Sequence, residues 1–262
     1  MRRKDRAYKI DGMSIILPAG HPLDWYQKLH PKYDQFLPVV AAELSKDAVV
    51  LDIGANIGDS AIPFLKRGIE TWCVEPAAEF LTYLRDNFQR NNLTDRATII
   101  ERIVTTHQDG AYLNIHDGTA ALETDSTSNA MTNAISLDAI LEQMDRIDLI
   151  KSDTDGWDYD VLLSGLAQIR AKQPLIYFEN TVTKENKEGY GQLYTSLKEI
   201  GYTHLIIFDN LGNVMQSMTD WTALDQINLD ILNGHKSGLP YTDVMVGTDA
   251  HVDFMKKVMG KY

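Results

Sequence analysis

Val49-Val50-Leu51-Asp52-Ile53-Gly54-Ala55-Asn56-Ile57-Gly58 is the stretch that decides the fold. From Ala48 to Ile53 only Asp52 is polar, the pattern of a strand covered on both faces in a parallel sheet. Gly54 and Gly58 flank a turn that leads into a helix expected from about Asp59. Glycine there permits positive φ and lets a ligand approach the backbone with no Cβ in the way.

The dinucleotide fingerprint G-x-G-x-x-G cradles a pyrophosphate at a helix N-terminus. Here the pattern is D-x-G-x-x-x-G, with Asn56 where the second glycine would stand. A side chain at that point impedes the close approach a pyrophosphate needs. A ligand without phosphate fits better, and S-adenosylmethionine has none. Glu75 comes 23 residues after Asp52 and ends the next apolar segment, Thr71-Trp72-Cys73-Val74. An acid at that strand tip can accept hydrogen bonds from both ribose hydroxyls of an adenosine, although NAD would use the same geometry. Asp52 is expected to interact, directly or through water, with the amino-acid end of the ligand. The expected cofactor contacts are Asp52, Gly54, Ala55, Asn56, Gly58, Glu75, Pro76 and Asp153.

Outward from this motif the pattern alternates. Strands are expected near 48–53, 70–74, 97–101, 147–152, 174–179 and 242–247, with a hairpin over 203–218. Helices are expected near 59–67, 77–91, 137–144, 159–170, 189–200, 220–232 and 250–259. This implies an α/β fold with a doubly wound, mostly parallel, Rossmann-like sheet over 46–262. Residues 1–45 read as an N-terminal extension: a hairpin over 8–17 turning at Asp11-Gly12, an irregular cap at 21–31, and a helix within 33–44. The segment 110–136, rich in Thr, Ser, Asn and Gly, is long for a loop and reads as an active-site cover. Asp52, Glu75, Glu101, Asp153 and Glu179 all fall near strand ends, an acidic rim suited to a cationic sulfonium.

Composition bounds the function. The net charge is −12, with no basic cluster after residue 6, which disfavours a nucleic-acid partner. The Asn/Asp-Pro-Pro-Tyr motif of amino-group nucleic-acid methylases is also missing. No apolar run approaches the roughly 20 residues of a membrane span. The basic start Met1-Arg2-Arg3-Lys4 is not followed by the apolar core of a signal peptide. The single cysteine, Cys73, suits a reducing cytoplasm and is expected to serve packing. Association into a homo-oligomer stays open.

Lys151-Ser152-Asp153-Thr154-Asp155-Gly156-Trp157-Asp158-Tyr159-Asp160 is the second unusual segment. Aligning Asp155-Gly156 with positions five and six of an EF-hand loop puts Lys151 at position one and Leu162 at position twelve, which rules that loop out. A divalent metal held by Asp153 with Glu179 is the weaker alternative. The stronger reading is a strand end at Asp153, a tight turn, and a helix whose Asp158 and Asp160 complement its dipole.

Together these pieces resemble the FkbM-type family of S-adenosylmethionine-dependent methyltransferases over roughly residues 46–247. Val50 to Gly58 is similar to its first motif, Val74-Glu75-Pro76 to its second, and Asp148 to Gly156 to its third, commonly K-I-D-x-E-G. Ser152 departs from an apolar position and Asp155 from a glutamate. The resemblance implies O-methylation of a sugar or small-molecule hydroxyl, in glycan, polysaccharide or secondary-metabolite assembly.

An alcohol acceptor must lose its proton during methyl transfer, so a base is useful. Asp153 is the first candidate catalytic residue, Glu179 the second, and His107 and His116 follow; Trp157 is a candidate stacking residue. The rival readings are a nicotinamide-dependent oxidoreductase, against which Asn56 and the missing third glycine argue, and a non-catalytic cofactor-binding scaffold subunit.

Overall fold

The computed structural model describes residues 4–107, 111–116, 119–124, 133–234 and 238–262. It opens with a hairpin, β1 (Arg6–Ile10) and β2 (Met13–Leu17), followed by helices α1 (Leu23–Leu29) and α2 (Phe36–Glu43). An alternating run follows: β3 (Val49–Ile53), α3 (Ile62–Leu65), β4 (Glu70–Val74), α4 (Ala78–Arg90) and β5 (Ala97–Ile100). Short strands β6 (Ile103–Val104) and β9 (Ala134–Ile135) pair in parallel around an antiparallel pair, β7 (Ala111–His116) and β8 (Thr119–Thr124). Then come α5 (Leu137–Leu141), β10 (Leu149–Ser152), α6 (Asp158–Leu163), α7 (Leu166–Lys172), β11 (Leu175–Asn180) and α8 (Lys187–Ile200). The last elements are β12 (His204–Asp209), β13 (Val214–Thr219), α9 (Trp221–Leu232), β14 (Thr242–Gly247) and α10 (Val252–Met259).

Eight strands form one sheet in the order β13-β12-β14-β11-β10-β3-β4-β5. β11, β10, β3, β4 and β5 are mutually parallel, whereas β14 is antiparallel to both of its neighbours and β13 to β12. From β3 the chain steps outward to β4 and β5, then returns to the other side of β3 as β10. That reversal opens a crevice beyond the C-terminal ends of β3 and β10, where ligands of doubly wound sheets lie. Ile53 is in register with Ser152, so Gly54 and Asp153 leave the sheet side by side.

The apolar run of β3 is explained by what covers it. Leu51 and Ile53 join Ile150, Ile176 and Phe178 in a core that also takes side chains of α5, α6 and α8. Val50 packs with Leu149, Ile206 and Phe36 in a second core that takes α2 and α10. Each such side chain contributes about 1.5–3 kcal/mol on burial. A third core places Ile10, Ile15 and Leu17 of the hairpin against Ala55, Ile57, Phe80 and Phe88. Asn87 of α4 ties that contact together: it accepts from the Ile16 N–H at 2.7 Å and donates to the Ile57 carbonyl at 3.0 Å.

Three elements differ from the sequence expectation. The stretch 21–31 is no irregular cap but holds α1, anchored where Arg6 Nε donates to Asp24 at 2.7 Å; Pro22 precedes the helix and Pro31 follows its end. The helix expected over 59–67 narrows to the single turn α3, with Ala61 as its N-cap, while Ser60 before it gives its hydroxyl to Asp52 at 2.6 Å. The helix expected over 159–170 is two, α6 and α7, broken at Ser164-Gly165. A Cβ on Gly165 would meet Leu137 at 2.5 Å, and Ser164 Oγ accepts the Leu137 N–H at 2.9 Å. The cover expected over 110–136 falls partly outside the described residues, which there are 111–116, 119–124 and 133–136, and the side chain of His116 also lies outside them.

Candidate active site

The turn after β3 has Gly54 at φ +73°, Asn56 at +49° and Gly58 at +88°. Both glycines are obligatory for packing as well as for φ. A Cβ on Gly54 would lie 1.9 Å from the Asp153 carbonyl oxygen, and one on Gly58 2.6 Å from the Phe88 ring. The Gly54 and Ala55 N–H groups both donate to the Val74 carbonyl at 3.0 Å, and the Asp153 N–H donates to Ile53 at 3.1 Å. The three motif segments are therefore stitched backbone to backbone.

Glu75 closes the far side of the turn. Its carboxylate accepts the Asn56 N–H at 2.9 Å and the Ala77 N–H at 2.7 Å. Burial pushes its pKa up to about 7 against the pull of those two donors. Glu75, Pro76, Gly54, Asn56 and Asp153 line a slot over the ends of β3 and β4, with Phe80, Trp157 and Val161 as its apolar walls. Trp157 stacks on Tyr159 at 6.1 Å between ring centroids.

Lys151, buried on β10, is the electrostatic hub beneath the turn. Its Nζ lies 2.9 Å from Asp52 Oδ1, donates to the Gly54 carbonyl at 3.0 Å and lies 3.6 Å from Asp153 Oδ2. Burial opposes its charge, but Asp52 and Asp153 outweigh burial and hold it protonated. Asp52 is 1% exposed and lies under the turn with Lys151 and Ser60. Ala55 and Gly58, both buried within the turn, do not line the slot.

Beyond the turn lies a larger cavity of about 600 Å³, in the size range of small-molecule sites. It shares Gly54, Asn56, Asp153 and Asp155 with the slot. Its wall includes Asp34, Asp59, Glu179 and Asp243, with Tyr33, Tyr177 and Tyr241. Tyr26 stacks on Tyr33 at 5.1 Å at its edge. Asp153 is 56% exposed at the junction of the two hollows. Glu179 accepts from Thr181 Oγ1 at 2.8 Å through one oxygen, while its other oxygen is buried with no hydrogen-bond partner. Burial, then the nearby Asp153 and Asp158 carboxylates, hold the Glu179 pKa well above the usual carboxylate range.

The remaining acids have other places. Glu101 pairs with Arg85 at the surface, away from both hollows. Asp158 and Asp160 do more than complement a dipole, since both are buried clamps. Asp158 accepts from Ser152 Oγ at 2.5 Å and from the Thr154 N–H at 3.3 Å, so Ser152, the departure from the family pattern, has a partner. Asp160 accepts from the hydroxyls of Thr105 and Thr106. His107 approaches Asp160 at 3.8 Å and lines neither hollow. Asp34, Asp59, Asp243 and the hub role of Lys151 escaped sequence reasoning. Lys151 stood in plain view two residues before Asp153, whereas Asp243 joins Glu179 only through the strand order.

A doubly wound sheet with a glycine turn, a strand-end glutamate and a slot at its switch point defines a nucleoside-binding α/β enzyme. Residues 52–204 match the family described as Methyltransferase FkbM domain, more than half of the chain, and the chain belongs to that family. It is an S-adenosylmethionine-dependent methyltransferase. Solved structures similar to it include an O-methyltransferase from Bacillus cereus in complex with SAH, at 14% identity over 82% of this chain and 80% of that one, TM-score 0.48. A precorrin-6y C5,15-methyltransferase from Geobacter metallireducens shows 12% identity over 81% and 88%, TM-score 0.44. An rRNA methylase from Streptococcus thermophilus shows 9% identity over 81% and 93%, TM-score 0.47. At those scores the likenesses bear on neither acceptor nor mechanism. A search of curated proteins found no match. Among the described residues no helix is long and apolar enough to cross a membrane.

Proposed function

We propose that the chain transfers a methyl group to a hydroxyl of a sugar or other small polyhydroxylated molecule. In this reading the adenosine of S-adenosylmethionine occupies the slot, with its ribose diol on Glu75 and its base against Pro76, Phe80 and Val161. The acceptor occupies the 600 Å³ cavity. The observation that carries the reading is the junction: Gly54, Asn56, Asp153 and Asp155 belong to both hollows, so the two ligands would meet there. The fit to the cofactor rests on Gly54, where a side chain has no room, and on the Glu75 carboxylate facing the slot. The bound cofactor supplies a methyl group already activated by the sulfonium.

The protein's share is positioning, exclusion of water and removal of one proton. Asp153 stands at the junction and takes the acceptor's hydroxyl proton as its oxygen attacks. Lys151, fixed by Asp52, holds the Gly54 turn and the Asp153 carboxylate in one frame. Glu179, on the wall of that cavity with one buried oxygen unpartnered, positions the acceptor and is not the base that takes its hydroxyl proton. Residues 46–262 form the cofactor-binding part. The extension over 1–45 places Tyr26, Tyr33 and Asp34 on the cavity wall and so shapes acceptor choice. The test is Asp153→Asn, assayed with methyl-labelled S-adenosylmethionine against a panel of sugars. Turnover should fall at least 100-fold, within the usual contribution of a general base, while S-adenosylhomocysteine binding by calorimetry stays within about threefold. Near wild-type turnover removes Asp153 from the chemistry.

A further inference from the structure

One wall of the large cavity carries two facing carboxyl groups with no cation between them. Glu179 on β11 and Asp243 on β14 are direct cross-strand partners in the antiparallel register, so their side chains emerge as neighbours on one face. Like charges placed directly opposite destabilise a sheet unless something answers them. Among the described residues neither makes a salt bridge. Lys151 is engaged by Asp52 and Asp153, and Lys9 and Lys32 border the cavity only from exposed positions. Glu179 is 8% exposed, and its second oxygen has no hydrogen-bond partner. Asp34 adds a third carboxylate to the same cavity.

We propose that the acceptor itself brings the missing cation: a protonated amine seated between Glu179 and Asp243, on an amino sugar or a similar polyhydroxylated amine. This deepens the function proposed above and rests on it for the position of the cofactor. The amine is not the cofactor's own. Neighbouring strands lie about 4.8 Å apart, which puts β11 roughly 10 Å and β14 roughly 14 Å from β3. Both residues line the larger cavity, and neither lines the slot assigned to the cofactor. Held there, the acceptor would direct a hydroxyl toward Asp153 at the junction. With no cation between them, burial and neighbouring carboxylates hold both Glu179 and Asp243 well above the ordinary carboxylate range, and a seated ammonium would let the pair ionise against it.

The experiment is calorimetry on the full chain saturated with S-adenosylhomocysteine, titrated with methyl glucosaminide, methyl glucoside and methyl N-acetylglucosaminide. The free amine should bind at least tenfold more tightly than either neutral compound. Asp243→Asn and Glu179→Gln should bring that preference below threefold, with the S-adenosylhomocysteine affinity within twofold of wild type. Equal affinities, no binding of the glucosaminide, or a preference that survives both substitutions overturns the inference. So does magnesium chloride alone displacing the glucosaminide, which would assign the pair to a metal. If a variant no longer binds S-adenosylhomocysteine, the wild-type comparison decides. Failure of wild-type protein to bind S-adenosylhomocysteine would instead sink the proposed function itself.

Discussion

Lys151→Met is the sharpest probe of how the site is held. The substitution keeps the apolar stem and removes the ammonium, so it isolates charge from packing. Asp52 would then be left 1% exposed with only the Ser60 hydroxyl as donor, and the Gly54 carbonyl would lose its 3.0 Å partner. Breaking a buried ion pair from one side costs about 3–5 kcal/mol, most of it from stranding the remaining charge. That is a large fraction of the roughly 5–15 kcal/mol by which domains are stable. Urea unfolding followed by tryptophan fluorescence should show a loss of that size. S-adenosylhomocysteine binding should weaken at least tenfold, about 1.4 kcal/mol, as the turn shifts. The double variant Lys151→Met/Asp52→Asn should regain about half of the stability or more, because no charge is then left buried. A loss below about 1 kcal/mol, or a double variant no better than the single, would refute the hub.

Gly54→Ala should abolish cofactor binding, since its Cβ would sit 1.9 Å from the Asp153 carbonyl at a φ of +73°; overpacking of this kind costs about 1–3 kcal/mol in stability, readable by thermal melting. Cofactor affinity should also depend on pH through Glu75, whose pKa burial lifts to about 7. Below that value the carboxyl is protonated and loses acceptor capacity for the ribose hydroxyls. S-adenosylhomocysteine binding should thus weaken as pH falls from 8 to 6, by up to about tenfold per unit, and Glu75→Gln should flatten the profile. A wild-type profile that is already flat counts against the ribose assignment.

The centre of the sheet was legible because its signals are local. Val49 to Ile53 had to be covered on both faces, and Gly54, Gly58 and Glu75 each answer a geometric demand within one strand-turn-helix unit. What escaped depends on contacts between distant segments. The break at Ser164-Gly165 exists because Leu137 presses on that point, and α1 is held by Arg6 from the first strand. No periodicity in either segment announces such a partner. The carboxylate rim was half legible for the same reason. Strand ends predict acids near the crevice, but only the order of strands sends Glu101 to the surface and brings Asp243 beside Glu179. Asp34 has a left-handed backbone at φ +56° in the link between α1 and α2, a placement set by tertiary packing.

One amide has reach beyond its size. Asn87 grips the main chain of the first hairpin with one hand and the Ile57 carbonyl, inside the glycine turn, with the other. The opening strands thus act as a buttress for the nucleoside seat. Trimming them would loosen ligand capture from behind, without removing one atom of the slot.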